Sequence, residues 1–423
     1  MYGPAPALVR KRLDRLYREE HGRIVAPLIR LLGDFERAEE VVQDAFEAAL
    51  TQWPTEGVPD TPRAWVLRTA RNKAIDRIRR SSRFEDKRAQ LEAVAEVERS
   101  FAPSPDELPE GPRDDMLRLV FTCCHPTLSA EAQVALTLRT ICGLTTEEIA
   151  RAFLVPKATM AQRLVRVQKK ITKAKIPYRV PEPEELADRL AAVLATLYLV
   201  FNEGYSASAG DALVRRELCS EGIRLAALVC ELLPDEAEPK GLLALMLLHD
   251  SRRAARVDDA GDLVVLEMQD RDRWDRDQIE RALPLVDDAL RGRPPGRYAL
   301  QAAVAALHAQ APSAEQTDWR QIAALYAIHL RIEPSPVLEL NHAVAVAMAG
   351  DVDDGLRRID ALEARGTLGS YHLLPAARAD LLRRQGRSDE ARAAYEAALA
   401  LVTNEVERRY LERRMRSLAP TED

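Results

Sequence analysis

Cysteine is scarce: five residues in 423, at positions 123, 124, 142, 219 and 230, with no C-x-x-C pair among them. That excludes a disulfide framework and makes reduced thiols the expectation. Cys123, Cys124 and His125, with Cys142 one helix away, read as ordinary buried thiols beside a histidine, so no metal is expected. Long apolar runs are missing too. The two longest uncharged stretches, Leu190 to Asn202 and Tyr298 to Ala314, have 13 and 17 residues and fall short of the roughly 20 that a spanning helix needs. Met1 to Arg12 shows no apolar run ahead of a small-residue cleavage site, so no secretory signal is expected and the cytoplasm is the default compartment. With 18 Gly and 25 Pro, 47% hydrophobic and 30% charged residues, the chain is neither fibrous nor disordered in composition. At roughly 100 to 200 residues per domain, two to four globular domains fit its length. Catalytic signatures are absent as well: there is no P-loop, no G-x-S-x-G and no H-E-x-x-H, and the seven histidines are dispersed. No enzyme activity and no cofactor are expected.

What is present is an uneven charge. The net charge of −6 divides into +3 over residues 1–185 and −9 over residues 186–423. Two separated blocks concentrate the positive charge: Arg63 to Arg88, with ten basic residues and three acidic, and Ile149 to Val180, with nine basic and no acidic residue. Between them, Leu91 to Pro112 carries six acidic residues, one Arg and four prolines, the composition of a solvated extended linker. Two basic modules on a tether, followed by an acidic remainder, is the organisation this implies.

The periodicity is helical almost throughout, and the fold class expected is all-α. In Asp34 to Trp53 the residues Ala38, Val41, Val42, Ala45, Ala49 and Trp53 form one apolar stripe, with Glu36, Glu40, Gln43 and Glu47 along the opposite face. A second helix over Arg63 to Arg80 places Leu67, Ala70, Ala74 and Ile78 inward and Arg68, Arg71, Asn72 and Arg79 outward; a face so short of acids suits an anion. From Glu131 to Lys175 the pattern resembles a helix-turn-helix. Gly143 breaks a first helix, Thr145 and Glu148 match a capping box, and Leu154 to Pro156 make the turn. The last helix buries Met160, Leu164, Val167 and Ile171. Its Gln and Arg residues suit base edges in a major groove and its Lys residues suit phosphates.

From Glu184 onward the chain is Ala- and Leu-rich helix. Gly350, Gly355, Ile359 and Leu362 align with Gly386, Ala391, Tyr395 and Ala398 at an offset of 36 residues, close to the 34 of tetratricopeptide units. The second set fits small and aromatic positions where paired helices approach closely. His249, Asp250, Arg252 and Arg253 make the most polar cluster, following the apolar run Gly241 to Leu248; it reads as a helix-end network, with a ligand site as the alternative.

The order of these parts resembles a known family. Glu39, Glu40, Val41, Val42, Gln43, Asp44, Ala45 and Phe46 are similar to region 2 of extracytoplasmic-function sigma factors, where this helix docks on bacterial core RNA polymerase. The run Trp65 to Arg77, with Arg79, resembles the following segment that opens and reads the −10 element. Leu144 to Ala150 and Pro156 to Arg166 resemble region 4, which reads the −35 element. Phe201 to Tyr205 and Ser335 to Val346 resemble the subgroup carrying a C-terminal tetratricopeptide-like domain that controls activity.

The resemblance implies region 2 over residues 8–88, a linker over 89–112, region 4 over 113–178 and a helical extension over 184–423, tetratricopeptide-like at about 335–402. It implies polymerase docking by Glu36, Glu39, Glu40, Gln43, Asp44 and Glu47. Contacts to the −10 non-template strand would come from Arg68, Arg71, Asn72, Lys73, Arg77, Arg79 and Arg80. Contacts to the −35 duplex would come from Lys157, Thr159, Gln162, Arg163, Arg166, Lys169 and Lys170. The expected partners are core RNA polymerase and promoter DNA, with an intramolecular or protein partner for the extension. The competing reading is a helix-turn-helix regulator with a helical-repeat sensor that never engages polymerase.

Overall fold

The structure, a computed structural model, describes residues 6–81, 111–153, 155–205, 216–256, 258, 262–291 and 294–418. The acidic linker expected over 89–112 falls almost entirely outside the described residues. Among these residues there are α-helices and three short 3-10 turns but no strand. The chain divides into two compact units, residues 1–197 and 198–423.

The first unit opens with α1 (Pro6–Leu32), α2 (Phe35–Glu56) and α3 (Pro62–Ser81). Asp34 starts α2 by accepting a hydrogen bond from the Arg37 amide at 2.9 Å, which satisfies one of the orphan donors of the first turn. The expected stripe is the buried one: Ala38, Val41, Val42, Ala45, Ala49 and Trp53 are all in the core. On α3 the buried line runs through Val66, Ala70, Ala74 and Ile75. Leu67 and Ile78, expected inside, are only half-buried, because the helix turns Val66 and Ile75 toward the core instead.

Four helices follow: α4 (Gly111–Cys123), α5 (Ala130–Thr140), α6 (Thr146–Ala152) and α7 (Lys157–Lys173). The capping box forms as the sequence suggests. The Thr145 amide donates to Glu148 Oε2 at 2.8 Å, and the Glu148 amide donates to Thr145 Oγ1 at 3.2 Å. In α7 the buried residues are Met160, Leu164, Val167 and Ile171, and each such side chain contributes roughly 1.5 to 3 kcal/mol of gross burial. Cys123, Cys124 and Cys142 are buried, and burial pushes the Cys124 thiol up to about 11, so these are inert packing groups.

The two basic modules do not stand apart. Helix α1 packs on α2 and α3 and also on α4 and α5. His21, fully buried, hydrogen-bonds the Thr140 carbonyl through Nδ1 at 2.9 Å. The Tyr178 hydroxyl donates to the Ala26 carbonyl at 2.9 Å, and Arg30 pairs with buried Asp115 at 3.0 Å. Gly143, in the turn ahead of α6, has φ of +67° and lies so close to α1 that a Cβ there would sit 3.0 Å from His21 Cβ. Hydrophobic matching along α1 joins what composition alone separates.

The division between units falls inside α8 (Pro183–Tyr205), not at residue 184. Its first half is tied to the first unit by Arg189 donating to the Phe121 carbonyl at 2.7 Å and Thr196 donating to Gln133 Oε1 at 2.7 Å.

The second unit continues with α9 (Arg216–Leu232), α10 (Ala237–Asp250), α11 (Arg276–Leu290), α12 (Arg297–Gln310) and α13 (Trp319–Ile332). Then come α14 (Pro336–Met348), α15 (Val352–Ala364), α16 (Leu373–Arg384), α17 (Ser388–Leu401) and α18 (Glu405–Arg416). Helix α10 is apolar nearly all round and is accordingly central, packing on α9, α11 and α12. Farther on, α14 packs with α15 and α16 with α17. The aligned positions Ile359, Leu362, Ala391, Tyr395 and Ala398 meet in one core. The close approach expected at Gly386 is made elsewhere. Gly386 has φ of +75° and nothing within 4 Å of where a Cβ would be, so it ends α16 as a left-handed turn residue. Gly355 is the packing glycine: a Cβ there would lie 2.6 Å from Ala347 Cβ on α14.

Candidate nucleic-acid and docking surfaces

Burying the stripe of α7 turns its other side outward. Lys157, Gln162, Arg166, Lys169 and Lys170 are exposed, while Thr159 and Arg163 are half-buried. Gln162, Arg166 and Lys169 follow one another at helical spacing, so a single face offers a neutral amide, a guanidinium fork and an ammonium. Some of the positive charge is already engaged: Lys157 pairs with Glu147 at 3.2 Å, Arg163 with Glu131 at 3.3 Å, and Lys170 donates to the Thr127 carbonyl at 2.6 Å. These pairs are exposed and worth little individually. Arg166 and Lys169 show no such local partner among the described residues.

The α6 end of the module is fixed by charge. Burial alone would raise the Glu148 carboxyl, but the Thr145 donors and Arg18, at 2.8 Å, outweigh it and hold Glu148 below the usual carboxylate range. Arg18 lies on α1, so this pair is a further tie between the two basic modules.

On α3, Arg68 and Asn72 are exposed one turn apart, and Arg71 and Lys73 are half-buried beside them. Arg77 is drawn sideways, pairing with Glu40 at 2.5 Å and with Asp44 at 2.8 Å on α2. The residues expected to touch DNA and those expected to touch polymerase therefore meet at this point. Arg79 and Arg80 close α3, and their side chains lie outside the described residues.

On α2, Glu36, Glu40, Gln43 and Glu47 form the exposed ridge that the spacing predicts. Asp44 lies half-buried at its edge. Glu39 is turned away: its carboxylate accepts from Arg139 on α5 at 3.1 Å and is largely covered. Burial lifts the Glu39 carboxyl above its ordinary range, against the lowering effect of Arg139. Local spacing could not reveal this, since the partner is a hundred residues away.

Family comparisons agree with this layout. Residues 16–84 match the model of sigma-70 region 2, and residues 118–171 match that of sigma-70 region 4. Residues 189–290 match a family of unknown function, DUF6596. An uncharacterised protein of Rhizobium meliloti (strain 1021) is 44% identical over 393 residues, covering 93% of this chain and 92% of that protein. No solved structure matches the chain. No helix among the described residues is long and apolar enough to cross a membrane. With region 2 and region 4 matched in order, the first unit carries the two domains of a sigma-70 family factor.

Proposed function

We propose that the chain is a sigma subunit of the extracytoplasmic-function type: it binds core RNA polymerase, directs it to promoters, and is controlled by its C-terminal helical unit. The observation that carries this reading is the exposed face of α7 standing in one compact unit with exposed Arg68 and Asn72 of α3. A duplex-reading helix alone suits any regulator. A second polar and basic helix beside an acidic ridge suits a factor that also opens DNA on a polymerase.

In this mechanism Gln162 and Arg166 reach base edges of the −35 duplex and Lys169 neutralises phosphate. Asn72 takes a base of the unstacked −10 non-template strand, with Arg68 on the backbone. Each contact is modest, and joining both through one polymerase complex raises the effective concentration of the second. Glu36, Gln43 and Glu47 are exposed and need no rearrangement to dock, whereas Glu40 docks by exchanging its pair with Arg77. Glu39 docks only if its pair with Arg139 opens. A subunit that positions another enzyme requires no catalytic group of its own.

In vitro transcription with purified core polymerase tests the assignment. A promoter-dependent transcript that requires both core and this chain supports it. Duplex binding with no transcript would instead favour a helix-turn-helix regulator. Control by the C-terminal unit is tested in the same assay by a chain ending at Leu197, which keeps the Arg189 and Thr196 bonds that a cut at Pro183 would remove. A several-fold change in transcript is expected, and equal output would remove the regulatory role.

A further inference from the structure

At the end of α10 the second unit gathers three guanidiniums, of Arg252, Arg256 and Arg271, that no ion pair among the described residues neutralises. Arg252 donates to the Tyr205 hydroxyl at 3.0 Å and approaches His249 Nδ1 at 3.4 Å. Its guanidinium lies 5.9 Å from the centre of the Trp274 ring, and that of Arg271 lies 4.5 Å from the same ring. Arg256 stacks 3.7 Å over the Tyr205 ring and donates to the Tyr205 carbonyl. Arg271 is anchored through the carbonyls of His308 and Ala311.

Among the described residues none of these three guanidiniums forms an ion pair. The nearest acids are committed elsewhere or remote. Asp250 binds Arg253 and Gln278, and Glu407, whose carboxylate lies 3.4 Å from His372 Nε2, acts on Arg256 only through its field. Glu315 is an exposed residue that acts on Arg271 only through its field. The effect on the neighbours is consistent: burial, then Arg252 and Arg256, holds His249 well below its ordinary value. Burial, then Arg252 and Arg271, pulls His308 down to about 4.

Buried Arg256 makes a purely structural cluster of this kind expensive, because a desolvated cation is normally matched by an anion. Two features point to a missing ligand. Trp274, only 3% exposed, keeps its indole N–H without an acceptor, at the ring that both Arg252 and Arg271 cover. Tyr205, His249, Arg252, Arg271 and His308 are all only half-buried, so solvent reaches the group. Guanidinium forks offer several N–H donors in a plane, matched to the paired oxygens of a phosphate or carboxylate.

We propose that this cluster in the C-terminal unit is a binding site for a multivalent oxyanion, the phosphate or polycarboxylate group of a small molecule, held by Arg252 and Arg271 with Trp274. The proposal goes beyond the promoter reading and does not depend on it, since the site can be assayed without DNA or polymerase.

The test is titration calorimetry of the full chain at fixed ionic strength with inorganic phosphate, with citrate, and with acetate as the monovalent control. The expected result is saturable binding of phosphate or citrate at one site per chain, and the stronger of the two identifies the source. Arg252→Gln and Arg271→Gln should each weaken that binding by about tenfold, the value of one charge-assisted contact. Because a variant can fail for reasons of folding, a second measurement uses the native chain alone. Phenylglyoxal labelling read by mass spectrometry should show Arg252 and Arg271 protected by the bound probe. Absence of binding by both multivalent probes at millimolar concentration would overturn the proposal. So would binding that leaves both folded variants at the native affinity, or that protects neither arginine.

Discussion

Replacing Gly143 by Ala measures whether the two basic modules are packed together in solution. The residue has φ of +67°, so any L side chain carries about 1 to 2 kcal/mol of left-handed strain. The added Cβ also meets His21 Cβ at 3.0 Å, Tyr17 Cε1 at 3.1 Å and His21 Cγ at 3.2 Å. Those atoms belong to α1, and His21 cannot simply swing aside because its ring is bound to the Thr140 carbonyl. Overpacking of a tight contact costs about 1 to 3 kcal/mol more. Gly33 supplies the control: its φ is +65° and nothing lies within 4 Å of its Cβ position, so Gly33→Ala carries the strain alone. The assay is native-state hydrogen exchange of the full chain, followed on peptides covering His21 and Thr140. Gly143→Ala should speed exchange there beyond Gly33→Ala by a factor of roughly 5 to 150, the rate equivalent of the extra 1 to 3 kcal/mol. Equal effects of the two substitutions would show that the Gly143 turn does not rest on α1, and the packing of the modules would have to be abandoned.

Three further outcomes follow from the exposed surfaces. Glu40→Arg with Gln43→Ala should abolish co-purification with core polymerase while leaving the circular dichroism spectrum unchanged, since neither side chain is in the α2 core; a folded double mutant that still binds removes the docking assignment. Arg166→Ala should weaken −35 duplex binding by about 1 to 3 kcal/mol and relax specificity at one position, whereas Lys169→Ala should weaken all sequences alike and lower the salt slope by about one. Native behaviour of both across sequence and salt titrations would take α7 out of the groove. Asn72→Ala should leave duplex binding intact but slow promoter opening, read as permanganate reactivity of thymines, and unchanged reactivity would argue against its role on the −10 strand.

What was legible in the sequence is what local periodicity controls. The stripe of α7, the Thr145–Glu148 box and the α2 face with its exposed ridge are each set within a few turns of one helix, and the structure keeps them all. Helix α1 escaped because it is buried on more than one side: the six residues from Ile24 to Ile29 are all buried and serve two sets of partners, and no single stripe marks such a helix. Gly386 was misread for a related reason. A glycine needed for backbone conformation and one needed for close packing look alike in sequence, and only the space around Gly355 separates them.

Charge was the least legible property of all, because its partners are chosen by the fold. Glu39 shares a helix with Glu36 and Glu40, and the resemblance counts it among the docking residues, yet it is held by Arg139 on another helix. Arg77 belongs to the helix for which the resemblance implies DNA contacts, but it is held by two acids of α2. If promoter DNA is to claim Arg77, those two pairs must be exchanged for phosphate, and the acids released are Glu40 of the exposed ridge and Asp44 at its edge. Exposed pairs of this kind are weak and screened by salt, so the exchange costs little. If that exchange takes place, −10 binding and polymerase docking are linked: freeing Glu40 and Asp44 makes this face of α2 more negative at the moment DNA is engaged. Arg77→Gln separates the two effects, since it should strengthen binding of core polymerase in the absence of DNA while weakening −10 strand binding. Core affinity that stays at the native value in that variant, measured at low salt where the pairs are strongest, would break the link.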